Sequence, residues 1–296
     1  MRLFFHFAPS SHYFEDKLFN LRIGIIDWSV IFMEADLRIK MHYFDSGVPG
    51  DVPIILIHGM ALDHTMWNPQ INVLKDKFRV IAYDIRGHGQ SWVGDGQYTY
   101  KMFVNDLIDL MDYLEIKQAV LCGLSLGGGI AIRAYEMHPH RIKALVLCDA
   151  RCEADFNETK YWREDSIDLI KNNGLETFAN ELANLIFAPE TFNSHPDVVE
   201  FIKNLTLSNS PKTICGALLA LGARTDMTHV LPKIKVPTLI MVGEYDNFTP
   251  LRSSQIMNKG IINSELKIIS RAGHISNLEN IDEFNHNLLK FMEKIK

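Results

Sequence analysis

Short apolar runs alternate with amphipathic stretches along most of this chain. Runs that read as strands recur at residues 36–44, 53–57, 79–83, 118–122, 144–148, 237–242 and 265–269. Several are continuously apolar, such as Pro53-Ile54-Ile55-Leu56-Ile57 and Ala144-Leu145-Val146-Leu147-Cys148. A strand apolar at every position is buried on both faces, which is the pattern of a parallel sheet. The run at 36–44 alternates instead. Helical spacing appears between the strands: within Thr99 to Leu114, Phe103, Leu107, Leu110, Met111 and Leu114 recur one helical turn apart. Strands alternating with helices predict an α/β class and a mostly parallel sheet covered by helices on both faces.

The longest interval without a strand runs from about Arg151 to Leu231. Helical patterns cover Trp162–Asn172, Leu175–Phe187, Pro196–Leu207 and Lys212–Ala223, punctuated by Gly174, Pro189, Pro196 and Pro211. The expected organisation is a core of residues 33–150 and 232–296 with a helical cap, 151–231, inserted between two core strands. Apolar cap residues Trp162, Phe178, Leu182, Leu185, Ile186, Phe187, Leu218 and Leu219 are candidates to line an acyl or ring pocket. Packing of cap onto core competes for the same side chains. Residues 1–32 read as an N-terminal extension to that core. Met33 is a candidate true start, with a peripheral lid or membrane-contact helix as the alternative; an intact mass of native protein that includes residue 1 sinks the Met33 start.

Chemistry enters at Gly123-Leu124-Ser125-Leu126-Gly127, a Gly-x-Ser-x-Gly run between a strand-like and a helix-like segment. A serine on such a tight turn is forced outward at the end of the sheet, with glycines where a Cβ would clash. The helix beginning at Leu126 directs free N–H groups and a positive dipole end at the same place. A serine hydroxyl needs a histidine to take its proton and an acid to orient that histidine. The chain has 12 histidines, so position must select among them. His274 follows Ala272-Gly273 at a strand exit, and Asp246 follows the strand ending at Gly243. Both fall at the carboxyl ends of strands, the edge where open α/β sheets build their sites. Glu244 and Asp149 are alternative acids, the latter also readable as a helix cap or a partner for Arg151. Two N–H donors must face the developing oxyanion. Leu126, after the serine, and Met60, in the loop after strand 53–57, are the candidates, with His58 supporting that loop.

These marks together resemble the α/β-hydrolase superfamily. The likeness rests on His58-Gly59, Asp84-Ile85-Arg86-Gly87-His88-Gly89-Gln90-Ser91, the Ser125 run, His138-Pro139-His140-Arg141, Gly243-Glu244-Tyr245-Asp246 and Gly273-His274. The flavour is similar to the small esterase and lactonase branch, including 3-oxoadipate enol-lactonases and pimeloyl-carrier-protein methyl ester esterases. That resemblance implies Ser125, Asp246 and His274 as a catalytic triad. It sets aside haloalkane dehalogenases and epoxide hydrolases, which use an aspartate where this chain has Ser125. The Asp84–Ser91 segment lacks the Gly-Lys-Ser/Thr ending of a phosphate loop.

Composition narrows the classes. A net charge of −6, with no basic cluster, argues against a nucleic-acid partner. No apolar stretch is long enough to cross a bilayer. Four scattered cysteines show no Cys-x-x-Cys or His/Cys ligand spacing, so the reading has no metal, no cofactor, and a reducing cytoplasm as the setting. The expected activity is a carboxylesterase acting on small-to-medium esters through an acyl-enzyme. A lactone, enol-lactone or C–C bond hydrolase is the alternative with the same triad, and a hydrolase-like ligand receptor with slow turnover is the alternative from another class. The cap's Lys160, Arg163, Lys171, Lys203 and Lys212 could dock an acyl carrier, but interleaved acidic residues make this a mixed solvated face.

Overall fold

The structure, a computed structural model, describes residues 41–47 and 52–295. The expected N-terminal extension, 1–32, and most of the alternating run at 36–44 lie outside the described residues. Of that run, Tyr43 and Phe44 fall in a strand, β1 (Tyr43–Asp45). Six further strands follow: β2 (Ile54–Ile57), β3 (Val80–Tyr83), β4 (Ala119–Leu124), β5 (Ile142–Cys148), β6 (Thr238–Gly243) and β7 (Ser264–Ile269). The helices are α1 (Asn68–Leu74), α2 (Tyr100–Tyr113), α3 (Leu126–Met137), α4 (Asn157–Asn173), α5 (Leu175–Ile186), α6 (Thr191–Ser194), α7 (Pro196–Ser208), α8 (Pro211–Gly222), α9 (Leu251–Gly260), α10 (Ser276–Glu279) and α11 (Ile281–Met292).

The described strands form one sheet in the order β1-β3-β2-β4-β5-β6-β7. β1 pairs antiparallel with β3, and every other pairing is parallel. Successive strand residues point to opposite faces, and every residue of β2, β3, β4 and β6 is buried. Both faces are therefore covered, which is why these strands read as unbroken apolar runs. Among the described strands β7 has one neighbour, β6, and accordingly mixes Glu265 and Lys267 with Leu266 and Ile269. Helix α3 packs on β4 and β5, α2 packs on α3, and α9 and α11 pack on β6 and β7. The Thr99 hydroxyl caps α2 by accepting from Met102 N–H, which fixes the start that the apolar spacing implies.

Between β5 and β6 the chain leaves the sheet for helices α4 to α8. These pack chiefly on one another, α4 on α8 and α5, and α7 on α5 and α6. The segment is tied to sheet-edge loops by polar contacts rather than strand pairing. Asn209 donates to the Ala61 carbonyl at 3.1 Å and accepts from Gly89 N–H at 3.2 Å. The Thr213 hydroxyl donates to the Gly87 carbonyl at 2.7 Å. Among the described residues no helix is long and apolar enough to cross a membrane. The four cysteines are free thiols, with the Cys122 and Cys148 sulfurs 4.0 Å apart in neighbouring strands.

Candidate active site

Ser125 is the one residue between β4 and α3. Its backbone is strained, at φ 56° and ψ −111°, a region that non-glycine residues seldom occupy. Packing holds it there. A Cβ on Gly127 would lie 2.2 Å from the Ile57 carbonyl oxygen, so α3 meets β2 at a separation only glycine permits. The Ser125 N–H is anchored to the Cys148 carbonyl at 3.0 Å. The first N–H groups of α3, beginning with Leu126, have no carbonyl four residues back within the helix.

His274 sits in the loop between β7 and α10. Its N–H donates to the Ile186 carbonyl at 2.6 Å, and a Cβ on Gly273 would meet that carbonyl at 2.5 Å. Glu279 holds the loop from below: it accepts from Gly273 N–H at 2.9 Å and Ile275 N–H at 3.1 Å, and from Ala188 N–H at 2.8 Å and the Thr191 hydroxyl at 2.6 Å. One buried carboxylate thus ties the histidine loop to the α5–α6 connection. No sequence pattern marked Glu279, because its partners lie both locally and about ninety residues away.

The His274 Nδ1 donates to Asp246 Oδ2 at 2.9 Å. A carboxylate only accepts, so the Nε2 carries the lone pair of the neutral ring. Asp246 also accepts from the Thr249 hydroxyl at 2.6 Å and from the N–H groups of Phe248 and Thr249 at 2.9 and 2.8 Å. Burial pushes this carboxyl upward, but the His274 ring and the Thr249 donors outweigh it and hold the pKa below its ordinary value. The two alternative acids are engaged elsewhere. Glu244 accepts from Arg271 N–H at 3.0 Å. Asp149 accepts from Gly243 N–H at 2.8 Å and from the Ser276 hydroxyl. Burial and the Asp246 charge push the Asp149 carboxyl well up, so Asp246 is the better-stabilised anion of the two.

Ser125 and His274 line one cavity, together with Gly59, Met60, Leu62 and Leu124 on the core side. The Met60 loop is set by His58, fully buried between two backbone groups. Ile85 N–H donates to its Nε2 at 2.8 Å, so its Nδ1 carries the proton and donates to the Gly59 carbonyl at 2.7 Å. Burial lowers the His58 pKa to about 3, which keeps the ring neutral in this bridging role.

Of the expected pocket residues, Leu182 and Ile186 line the cavity. Trp162, Phe178, Phe187 and Leu218 do not. Trp162 stacks edge-on behind Phe248, which itself faces His274, with centroids 5.3 and 5.0 Å apart. Phe187 packs on Phe192, and Phe178 and Leu218 are buried in the hydrophobic core. Leu185 and Leu219 point outward, 44 % and 60 % exposed. Leu221, Phe248, Thr249, Ile275 and three arginines complete the lining instead.

Elsewhere, His42, His64 and Asp84 offer ligand atoms within 4.8 Å of one another. Asp84 is already engaged there: Oδ1 accepts from His64 Nδ1 at 2.7 Å and from His64 N–H at 2.8 Å, and Oδ2 from Gln90 N–H at 2.9 Å.

Comparison with known proteins agrees with this fold. The sequence model of the alpha/beta hydrolase fold matches residues 52–281. The chain belongs to the α/β-hydrolase family. It is 29 % identical over 256 residues to 3-oxoadipate enol-lactonase 2 of Acinetobacter baylyi, covering 86 % of this chain and 94 % of that one. It is 32 % identical over 272 residues to a putative non-heme chloroperoxidase of Synechocystis, covering 88 % and 97 % of the two chains. In structure it superposes on a thermophilic esterase from Thermogutta terrifontis, solved with malate bound, at a TM-score of 0.82 and 33 % identity, covering 86 % and 93 %. Relatives in this α/β-hydrolase family thus include enol-lactonases, esterases and haloperoxidases.

Proposed function

We propose that the protein is a serine hydrolase that cleaves small-to-medium carboxylic esters through an acyl-enzyme. The observation that carries this is the shared cavity: a strained Ser125 and a His274 whose Nδ1 is held by Asp246 face the same space. In this mechanism the His274 Nε2 takes the Ser125 proton as the hydroxyl oxygen attacks the ester carbonyl. The oxyanion forms against the N–H groups of Met60 and Leu126, the latter at the positive end of α3. The imidazolium is stabilised by Asp246 and returns its proton to the leaving alcohol. Water, deprotonated by the same ring, then releases the acid and restores Ser125. Proton and charge balance close on these residues alone. Helices α4 to α8 serve as the cap that bounds the acyl group, with Leu182 and Ile186 as its apolar wall.

A lactone follows the same steps with the leaving alcohol tethered to the acyl group, and the likeness to enol-lactonases favours keeping this second substrate class. The test is the initial rate on 4-nitrophenyl esters from acetate to decanoate, with lactones beside them, for the wild type and Ser125→Ala. Ser125→Ala lowers kcat by ~10⁴-fold or more if the serine is the nucleophile. A folded variant keeping a tenth of the activity removes Ser125 from that role.

A further inference from the structure

The cavity that holds Ser125 and His274 also exposes Arg151, Arg163 and Arg224 to its interior. An apolar acyl pocket has no use for buried guanidiniums, whose desolvation is costly. These three are buried, at 9 %, 5 % and 3 % side-chain exposure, around one carboxylate, Asp155, which is at 0 %. Arg151 and Arg224 donate to Asp155 Oδ1 at 3.0 and 3.1 Å, and Arg163 Nε donates to Oδ2 at 2.5 Å. Asp155 is therefore the one carboxylate that all three guanidiniums bond, and the Glu153 charge adds its pull on Arg151 and Arg224 from nearby. The neighbouring Glu153 accepts from the Ser253 hydroxyl at 3.2 Å and the Cys152 thiol at 3.5 Å, and offers Arg224 only its backbone carbonyl, at 2.8 Å. Asp246 is given over to His274 and Thr249. Burial, with the Arg224 and Arg163 charges, depresses the Arg151 guanidinium against the pull of Asp155 and Glu153.

The second observation is an unfilled hydrogen-bonding capacity. Arg163 Nη1 and Arg224 Nε are buried with no partner among the described residues. A buried guanidinium N–H without an acceptor is unfavourable, and a planar carboxylate is the acceptor that suits a guanidinium fork. Resting on the hydrolase reading of Ser125 and His274, we infer that the substrate is an ester or lactone that also carries a carboxylate, held by Arg163 and Arg224. Asp155 is the positioning residue that fixes both guanidiniums from behind. Arg151 leaves the core after β5, whereas Arg163 lies on α4 and Arg224 just past α8. The anion site therefore joins core to insertion beside the reacting serine.

The experiment is pH-stat hydrolysis near neutral pH of monoethyl succinate, glutarate and adipate against ethyl butanoate, pentanoate and hexanoate. Each pair shares its acyl length and exchanges a terminal methyl for a carboxylate. The readout is the ratio of kcat/KM, anionic over neutral. The wild type favours the anion at one length at least, and Arg163→Met and Arg224→Met each lower that ratio by about 10- to 100-fold. Arg224→Lys keeps part of it, because charge remains but the fork is lost. A wild-type ratio at or below one for every pair overturns the inference, as does a ratio that neither variant moves. Each variant leaves Asp155 two guanidinium partners, and near-ultraviolet circular dichroism reports folding; if one fails to fold, the other and the wild-type ratio decide. Absence of Ser125-dependent turnover on all six esters, and on the 4-nitrophenyl esters and lactones above, would sink the hydrolase reading instead. Calorimetric titration of glutarate then judges the arginines separately: binding to wild type that Arg224→Met abolishes supports them, and no binding to wild type overturns them.

Discussion

Replacing Asp246 by asparagine changes one atom of the site, and the surrounding donors dictate how the new amide sits. Asp246 Oδ1 faces two backbone donors, Phe248 N–H at 2.9 Å and Thr249 N–H at 2.8 Å. An amide nitrogen cannot face two N–H groups, so the amide oxygen takes that position. The NH₂ group then takes the place of Oδ2 and points at His274 Nδ1, 2.9 Å away. It donates there, which forces the ring proton onto Nε2, the atom that accepts from Ser125 in the proposed mechanism. The variant therefore folds with its geometry intact and its imidazole in the wrong tautomer. The expected loss in kcat is ~10⁴-fold, about 5 kcal/mol of transition-state stabilisation. Initial rates on the best 4-nitrophenyl ester measure it, with circular dichroism confirming the fold. Asp149→Asn is the internal comparison: Asp149 bonds to Gly243 and Ser276 and makes no hydrogen bond to His274 among those described, so its kcat stays within about tenfold of wild type. A larger loss in Asp149→Asn than in Asp246→Asn would refute the reasoning and move the acid to the end of β5.

Two further expectations follow from the packing and electrostatics. Gly127→Ala sets a Cβ against the Ile57 carbonyl, backbone against backbone, and should cost about 3 kcal/mol of stability; an unchanged urea midpoint would show that α3 can move off β2. Asp84 is almost fully buried, and although burial pushes its carboxyl up, the His64 ring, the neighbouring His58 and the Gln90 amide bond lower it from its ordinary 3.8 to about 2. A depressed carboxylate stabilises the fold above its unfolded-state pKa and loses that contribution as pH falls through the folded value. Asp84→Asn should therefore cost about 2 kcal/mol at neutral pH, with the gap to wild type closing from about pH 4 to pH 2. A gap independent of pH over that range would show that Asp84 acts through shape rather than charge.

Local information in the sequence determined the α/β layering and the place of the candidate site. Unbroken apolar runs became β2, β4, β5 and β6 because a central parallel strand is buried on both faces. The Ser125 turn was legible because its requirements are local: a strand, a helix start and glycines within a few residues. Asp246 and His274 could be nominated from strand ends alone. Their hydrogen bond, and the engagement of Asp149 and Glu244 elsewhere, depended on which atoms the fold brings within 3 Å. The cavity lining was less legible still. Helical periodicity identifies which face of α5 is apolar, but Leu182 and Phe178 share that property and only one of them meets the cavity. Along the chain Arg151 was readable as a partner for Asp149 and Arg163 as part of a solvated face, and no pattern singled out Arg224. Only the packing of α4 against α8 gathers them, with the residue that leaves the core after β5, around Asp155, because a side chain's electrostatic role is set by neighbours distant in sequence.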